Sequence, residues 1–380
     1  MSTNQQLYTH NYRFLMKMYE GKRIPRHLIQ TLALMLGGLF LGRHVQLWEL
    51  ALWAPLPIQL SSLVRRFERF LADPQVEVRQ WFRPFVDSMQ QMLSHEVAYV
   101  IIDCTQAGKQ CRSLVAGIAY YGTVRPLGWK TFKGRKGHVK GDCHKALLQE
   151  IAPLLHYYRQ IIVLGDGEFS NETLIQWLIE HGWDFVFRFR NNCQLQVTPD
   201  GEWQSMKTLY QAAGCQPGTV HYWEAVKFTK AHGFENLTVT LHWAEKYVEP
   251  LPLVSSLSVD DSPHLLYEMR YWIETLFGNH KSRGFQLART HLTNPQQIDR
   301  LILVLAIATY MMLGLGSALV FCQQTHLVDR SDRRDLSLFQ LGFRFFYRLL
   351  ALDRLDQFTI LFSDSLHFPK AGSRWSSSNP

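Results

Sequence analysis

The sequence predicts an α/β protein with an α-helical N-terminal domain, a mixed-sheet core and a mostly-β subdomain inserted into that core. Three observations predict it. Up to residue 95 the apolar residues recur at helical spacings of three and four. From Val97 they gather instead into short β-branched runs bounded by turns, the pattern of buried strands. Residues 191–261 then carry Gly, Pro and Thr punctuation between short alternating segments such as TVHYWEAVKF and LTVTLHW.

In the N-terminal domain (1–95) the periodicity predicts helices over Arg26–Arg43, Pro57–Leu71 and Val76–Leu93. Lys22, Arg23, Arg26, His44, Arg65, Arg66 and Arg69 give it basic edges, which suit docking on a duplex. The same residues also suit a packing domain with solvated arginines. In the first part of the core (96–190), Val97–Asp103 and Arg112–Gly122 read as strands, followed by TVRPLGWKTF across a turn. Asp142–Tyr158 reads as a helix, Arg159–Asp166 as a strand, Ser170–Gly182 as a helix N-capped by Ser170, and Trp183–Arg190 as a strand. This order is that of a ribonuclease H-like core, though other mixed sheets share it. After the insertion (191–261), helices resume in a second part of the core (262–325) and a C-terminal helical region (326–380) ending in a polar, disordered tail, SRWSSSNP.

Forty Lys+Arg against 32 Asp+Glu give a formal charge of +8, a balance suited to a polyanion partner because phosphate neutralisation releases counterions. The six cysteines show no CxxC pair or metal-ligand rhythm, and the polar start MSTNQQLYTHNYRF lacks a signal-peptide core. Reduced thiols in a cytoplasm, without structural zinc, are expected. Leu301–Phe321 is an uncharged apolar run long enough to cross a bilayer. Thr309 and Tyr310 sit mid-run and no second run matches it, so a helix buried in the core, with no membrane partner, is the expectation.

Two aspartates end strand-like runs: Asp103 in VAYVIID and Asp166 in IIVLGD. Open α/β sheets gather ligands beyond the carboxyl ends of their strands, and paired carboxylates there suit Mg²⁺, which prefers oxygen ligands. Downstream, SPHLLYEMRYWIETLFGNHKSRGF offers an N-cap with proline at the first helical position, and Gly284 as a stop after Arg283. On one helix, Tyr267, Arg270, Glu274 and Lys281 fall within roughly 60° of each other, and Leu266, Ile273 and Phe277 seat it about 70° away. A carboxylate between a guanidinium and an ammonium suits a metal-bound phosphate; an ordinary Arg–Glu surface pair gives the same spacing.

The spacing Tyr-x2-Arg-x3-Glu-x6-Lys from Tyr267 to Lys281 resembles the signature of bacterial insertion-sequence DDE transposases of the family-four type. IIDCT around Asp103 and LGDGEF around Asp166 are similar to the other two acidic motifs of that family, so the resemblance runs over roughly residues 97–290. It implies that Asp103, Asp166 and Glu274 bind two Mg²⁺ (or Mn²⁺) ions, while Tyr267, Arg270 and Lys281 hold DNA phosphates near the cut. It further implies metal-dependent cleavage at transposon ends and strand transfer into target DNA. The implied partners are double-stranded DNA (terminal repeats and target) and a second copy of the chain, in a homodimeric synaptic complex in the bacterial cytoplasm at the nucleoid. The β-rich insertion would hold a flipped base, with Trp243, or less readily Trp223, as the stacking aromatic; a core tryptophan fits equally.

Around these, Cys104 reads as a small buried residue, Glu168 as an alternative ligand and Glu172 as a first-turn helix acid. The basic run Trp129–Lys145 reads as a mobile loop that either reaches DNA or is merely solvated. Alternative readings are a nuclease or DNA-binding protein recruited from a transposase, and a membrane-associated protein built on Leu301–Phe321.

Overall fold

The computed structural model describes residues 2–134 and 139–366. The N-terminal domain comprises α1 (Thr3–Met18), α2 (Arg26–Gly42), α3 (Leu47–Leu52), α4 (Leu60–Ala72) and α5 (Val78–Gln90). The amphipathic helices α4 and α5 bury Leu63, Phe67, Phe70, Trp81, Phe82 and Phe85, as their periodicity requires. Helix α4 starts at Leu60 rather than Pro57, and Glu77 caps α5 by accepting from the main-chain N–H groups of Arg79 and Gln80. Helices α1 and α3 were not singled out from sequence. Helix α1 buries only the narrow stripe Leu7, Asn11 and Leu15, with an asparagine at its centre, so its apolar signal is weak.

The core carries β1 (Val97–Ala107), β2 (Cys111–Tyr120), β3 (Thr123–Lys133), α6 (Gly141–Leu155), β4 (Gln160–Gly165), α7 (Glu172–Glu180) and β5 (Asp184–Arg188). Strand β1 pairs antiparallel with β2 and parallel with β4, and β4 pairs parallel with β5. The resulting order β3-β2-β1-β4-β5, with helices between β3 and β4 and between β4 and β5, is the ribonuclease H-like arrangement. The N-cap of α7 is Asn171, whose side chain accepts from Leu174 N–H, and not Ser170. Ser170 lies one residue too early and donates to the Gly167 carbonyl.

Residues 191–261 hold β6 (Gln194–Gln196), β7 (Gln204–Ser205), α8 (Met206–Ala212), β8 (Thr219–Phe228), β9 (Phe234–Trp243) and β10 (Leu251–Ser255). These strands extend the core sheet: β10 pairs antiparallel with β5, and among the described residues the whole forms one sheet of ten strands. Beyond it come α9 (Pro263–Tyr267), a 3₁₀ turn over Glu268–Tyr271, α10 (Trp272–His280), α11 (Pro295–Phe321) and α12 (Leu338–Ala351).

Helix α11 contains the apolar run and packs against α2, α4, α5, α12 and β3, so its most apolar window is wholly buried inside the protein. Protein on every side explains why a helix can be apolar all round without lipid. Of the basic run, Trp129–Lys133 belongs to β3 and Gly141–Lys145 to α6; 135–138, and the C-terminal tail from 367, lie outside the described residues.

Candidate active site

Asp103 sits where the central pair of strands parts. Parallel pairing of β1 with β4 stops at Ile101↔Leu164, while β1 continues along β2, with Asp103 opposite Val115. The strand therefore does not end at Asp103, as its sequence suggested; the neighbour on one side does. Strand β4 ends at Gly165 and Asp166 follows immediately, so both carboxylates lie at the carboxyl edge, where parallel strands diverge and leave a crevice.

The loop after β4 is tightly built. Asp166 accepts from Glu168 N–H at 2.9 Å through Oδ1, and its carbonyl accepts from Phe169 N–H. A Cβ at position 165 would run into the Phe169 ring, so Gly165 lets that ring fold back against the strand end. Buried His144 on α6 faces Glu168, Nε2 to Oε1 3.5 Å, and Glu168 also accepts from Val139 N–H. Burial pushes the Cys104 thiol up to about 12, with Glu168 adding, so it remains a protonated, inert side chain.

The third acid arrives differently from the single helix expected over 263–283. Pro263 starts α9 at its first position, but Ser262 makes no side-chain cap, and the chain tightens into the 3₁₀ turn before α10. Helix α10 stops at His280, and Lys281 leaves the helix with φ −98° and ψ −125°. The stop precedes Gly284 because the chain doubles back: Phe285 N–H bonds Asn279 O, and a Cβ at position 284 would overlap that carbonyl. His280 is buried, held neutral by a pKa pushed down to about 3 through desolvation, and pairs with Thr309 on α11 at 3.1 Å.

This path brings Arg270 among all three acids. Its NH2 group donates to Asp103 Oδ2 at 3.0 Å and lies 3.5 Å from Asp166 Oδ2, while NH1 donates to Glu274 Oε1 at 3.0 Å. Exposure rises across the group, from 11% for the Arg270 side chain and 13% for Asp103 to 39% for Asp166 and 58% for Glu274, so the site opens on the Glu274 side. Burial pushes the Asp103 carboxyl up to about 6; Arg270 opposes this, and Asp166 and Glu274 add to it. Burial works against the Arg270 charge, but Asp103, Tyr267, Asp166 and Glu274 more than offset it, and its pKa is raised. Lys281 is lowered by burial, with Asp103 opposing.

Tyr267 is only 2% exposed and its hydroxyl is pushed well up by burial, so it lines the site from behind rather than facing solvent. Tyr271, not singled out from sequence, is 52% exposed, and the Arg270 guanidinium lies 5.5 Å from its ring centroid. Its only sequence signal is adjacency to Arg270; the 3₁₀ turn is what aims it outward. Trp243 ends β9 at the same sheet edge, since Gly165 pairs Phe187, Arg188 pairs Leu253 and Leu251 pairs His242. It stands three strands from β4, roughly 14 Å at ordinary strand spacing, and its indole donates to Tyr247 O at 3.0 Å. Trp223 pairs with Val239 on β9, farther from that edge.

The donor set is oxygen only, which suits a hard divalent cation. Three carboxylates face the one guanidinium of Arg270, which leaves their charge undercompensated. Asp103, Asp166 and Glu274 therefore fit a divalent ion chemically. As they stand around Arg270, no three His, Cys, Asp or Glu side chains among the described residues are close enough together to hold one.

A piggyBac transposase synaptic complex with hairpin DNA is similar in structure at 11% identity and a TM-score of 0.45, over 94% of this chain and 83% of that one. Endonuclease V from Ciona intestinalis, in complex with a 24mer DNA containing an inosine followed by a ribo-adenosine, is similar at 10% identity and a TM-score of 0.27, over 51% of this chain and 89% of that one. No curated protein matches the sequence significantly. Residues 85–311 match the transposase DDE domain, a span that covers more than half of the chain and contains Asp103, Asp166 and Glu274. The chain therefore belongs to the DDE transposases, DNA-cleaving and strand-transferring enzymes that work with divalent metal ions.

Proposed function

We propose that Asp103, Asp166 and Glu274 are the acidic triad of a cut-and-paste reaction supported by two Mg²⁺ (or Mn²⁺) ions. The convergence of acids from β1, the β4 loop and α10 on one guanidinium at the β1/β4 parting supports this reading. Bound there, the ions would supply Lewis acidity toward the attacking and leaving oxygens of an in-line displacement. Lys281, free of the helix and electrostatically coupled to Asp103, contributes positive charge toward a scissile phosphate. Exposed Tyr271 offers a ring face beside it, and Tyr267 buttresses Arg270 from the core side. Water attacks first and frees a 3′-OH, which then attacks the second strand or target DNA; no covalent protein–DNA bond is needed.

The substrate of this proposal is duplex DNA at the terminal repeats of a mobile element, with target DNA as the second partner. Joining two ends to one target requires two sites held together, so a homodimer in the synaptic complex belongs to the same proposal, as does action at the nucleoid in the cytoplasm. Trp243 remains the proposed stacking aromatic, reached by a base swung away from the cut. The experiment is nicking of labelled duplex carrying the element's own end, with Mg²⁺, Mn²⁺ or EDTA. Nicking at the end with either ion and none in EDTA is expected. Cutting that survives EDTA would overturn the metal assignment.

The DNA flank is assigned to a basic seam between the N-terminal domain and the core. Arg283 donates to the Glu274 carbonyl at 3.1 Å, and Arg43 donates to the Arg283 carbonyl at 2.7 Å, linking the site to the end of α2. Gln46 bridges to Arg289 O and the His291 ring. The Arg43, Arg283, Arg289 and His291 side chains are exposed. Burial lowers the pKa of neighbouring His44; Glu49 opposes this, and Arg289 and His291 add to it. Reversing Arg43 and Arg289 to Glu is expected to weaken duplex binding and to reduce the slope of log affinity against log salt by about two or more. Arg159→Glu, at the start of β4 and the opposite sheet edge, serves as the control. An unchanged slope in the double variant would remove the seam from the DNA path.

A further inference from the structure

We propose that Arg270 is an internal cation that holds the place of a divalent ion until a DNA phosphate draws it out, coupling metal binding to DNA binding. The inference rests on the reading of Asp103, Asp166 and Glu274 as metal ligands.

The geometry carries it in three steps. First, one nitrogen of Arg270 stands between the two aspartates, 3.0 Å from Asp103 Oδ2 and 3.5 Å from Asp166 Oδ2. A Mg²⁺ ion needs oxygens at about 2.0–2.1 Å, so two carboxylates that share an ion cannot also keep a guanidinium nitrogen between them. Among the described residues no three acids close on a common point, and the guanidinium stands between these three.

Second, the seat is incomplete. Arg270 is buried, yet its Nε–H has no acceptor among the described residues, and a buried unpaired donor weakens the hold of an otherwise strong set of contacts. Third, an exit lies beside it. The guanidinium carbon is already 5.5 Å from the centroid of the exposed Tyr271 ring, on the open Glu274 side of the site. A phosphate arriving there accepts two parallel hydrogen bonds from guanidinium, the geometry arginine matches best. Arg270 then exchanges carboxylate acceptors for phosphate oxygens and frees the carboxylates for cations. Without DNA the acids stay paired with their own arginine, and the enzyme does not carry a loaded nuclease site through the cell.

Because coupling between two ligands is reciprocal, it is measurable without catalysis. Mn²⁺ binding is read by calorimetry or electron paramagnetic resonance on the full chain, alone and with a short duplex carrying the element end. In the wild type the duplex is expected to tighten Mn²⁺ binding by about tenfold or more. Arg270→Met is expected to bind Mn²⁺ about tenfold tighter than wild type without DNA, and to lose most of the response to DNA. Arg270→Lys, which keeps the charge but not the fork, is expected to fall between them, and melting curves in EDTA and Mn²⁺ report folding of each variant.

Equal Mn²⁺ affinity of wild type and folded Arg270→Met overturns the proposal, as does wild-type Mn²⁺ affinity that ignores DNA. The second result stands even if Arg270→Met does not fold. Asp103→Asn separates the two levels. If it abolishes Mn²⁺ binding while Arg270 variants change nothing, only the placeholder role fails. If Asp103→Asn is indifferent to Mn²⁺, the metal-ligand reading itself fails, and this proposal with it.

Discussion

Glu274→Ala is expected to lose nearly all strand cleavage in a protein that still folds and still binds DNA. The Glu274 side chain is 58% exposed and its i,i+4 partner Arg270, though buried, keeps Asp103 as an acceptor, so loss of the pair is expected to cost about 1 kcal/mol of stability. The chemical cost is of another size. If the three carboxylates assemble cations around a phosphate as proposed, removing one is expected to lower the cleavage rate by about 10³-fold or more, ~4 kcal/mol of transition-state stabilisation. Duplex affinity, which rests on cations such as Arg43 and Arg289, is expected to change less than about twofold. Nicking of end-labelled duplex in Mg²⁺, with melting curves and a binding isotherm on the same preparation, measures all three. Cutting at the wild-type rate would dismiss Glu274 as the third acid and turn attention to Glu168, the other carboxylate near Asp166.

The largest stability effect is expected far from the acids, where α11 and α12 cross. A Cβ at Gly316 would overlap the Leu338 carbonyl, and a Cβ at Gly342 would overlap the Met312 carbonyl, so these two helices touch backbone to backbone. Neither obstacle is a flexible side chain that can turn aside. Gly342→Ala must therefore push α12 off α11, and overpacking of that kind is expected to cost about 3 kcal/mol or more. The displacement also reaches the site. Phe343 and Phe339 of α12 each lie 5.6 Å, centroid to centroid, from Phe285, which follows the Lys281 turn. A fall in melting temperature of roughly 4 °C or more is expected, together with slower cleavage. A variant that melts with the wild type would show that the crossing has slack the structure does not display.

That Asp103, Asp166 and Glu274 are candidates was legible because each rests on local signals, and the structure brings all three to Arg270. Asp103 and Asp166 close apolar β-branched runs, and Glu274 lies four residues after Arg270. The buried character of α11 was legible for a similar reason: polar Thr309 and Tyr310 mid-run argue against lipid. Thr309 turned out to serve His280, and Tyr310 to donate to Ser88 of α5.

What escaped the sequence depended on partners distant along the chain. Arg270 was read as a phosphate ligand, and nothing in the sequence signalled its contacts with Asp103, 167 residues away, and Asp166, 104 away. No spacing rule registers such pairings. The division of 263–283 into α9, a 3₁₀ turn and a shorter α10 has the same origin. Periodicity reports a continuous amphipathic pattern, but the Asn279–Phe285 turn ends the helix early and leaves Lys281 outside it.

The joining of β10 to β5, which makes residues 191–261 an extension of the core sheet, is likewise a matter of backbone hydrogen bonds between separate segments. Residue order along the chain thus carried the candidate acids and the kind of element beneath each, because helix and strand periods are local properties of burial. Which groups meet in the crevice, which cation stands among them and which side chains remain in solvent came from the packing of segments far apart in sequence, where contact geometry rather than period sets the outcome.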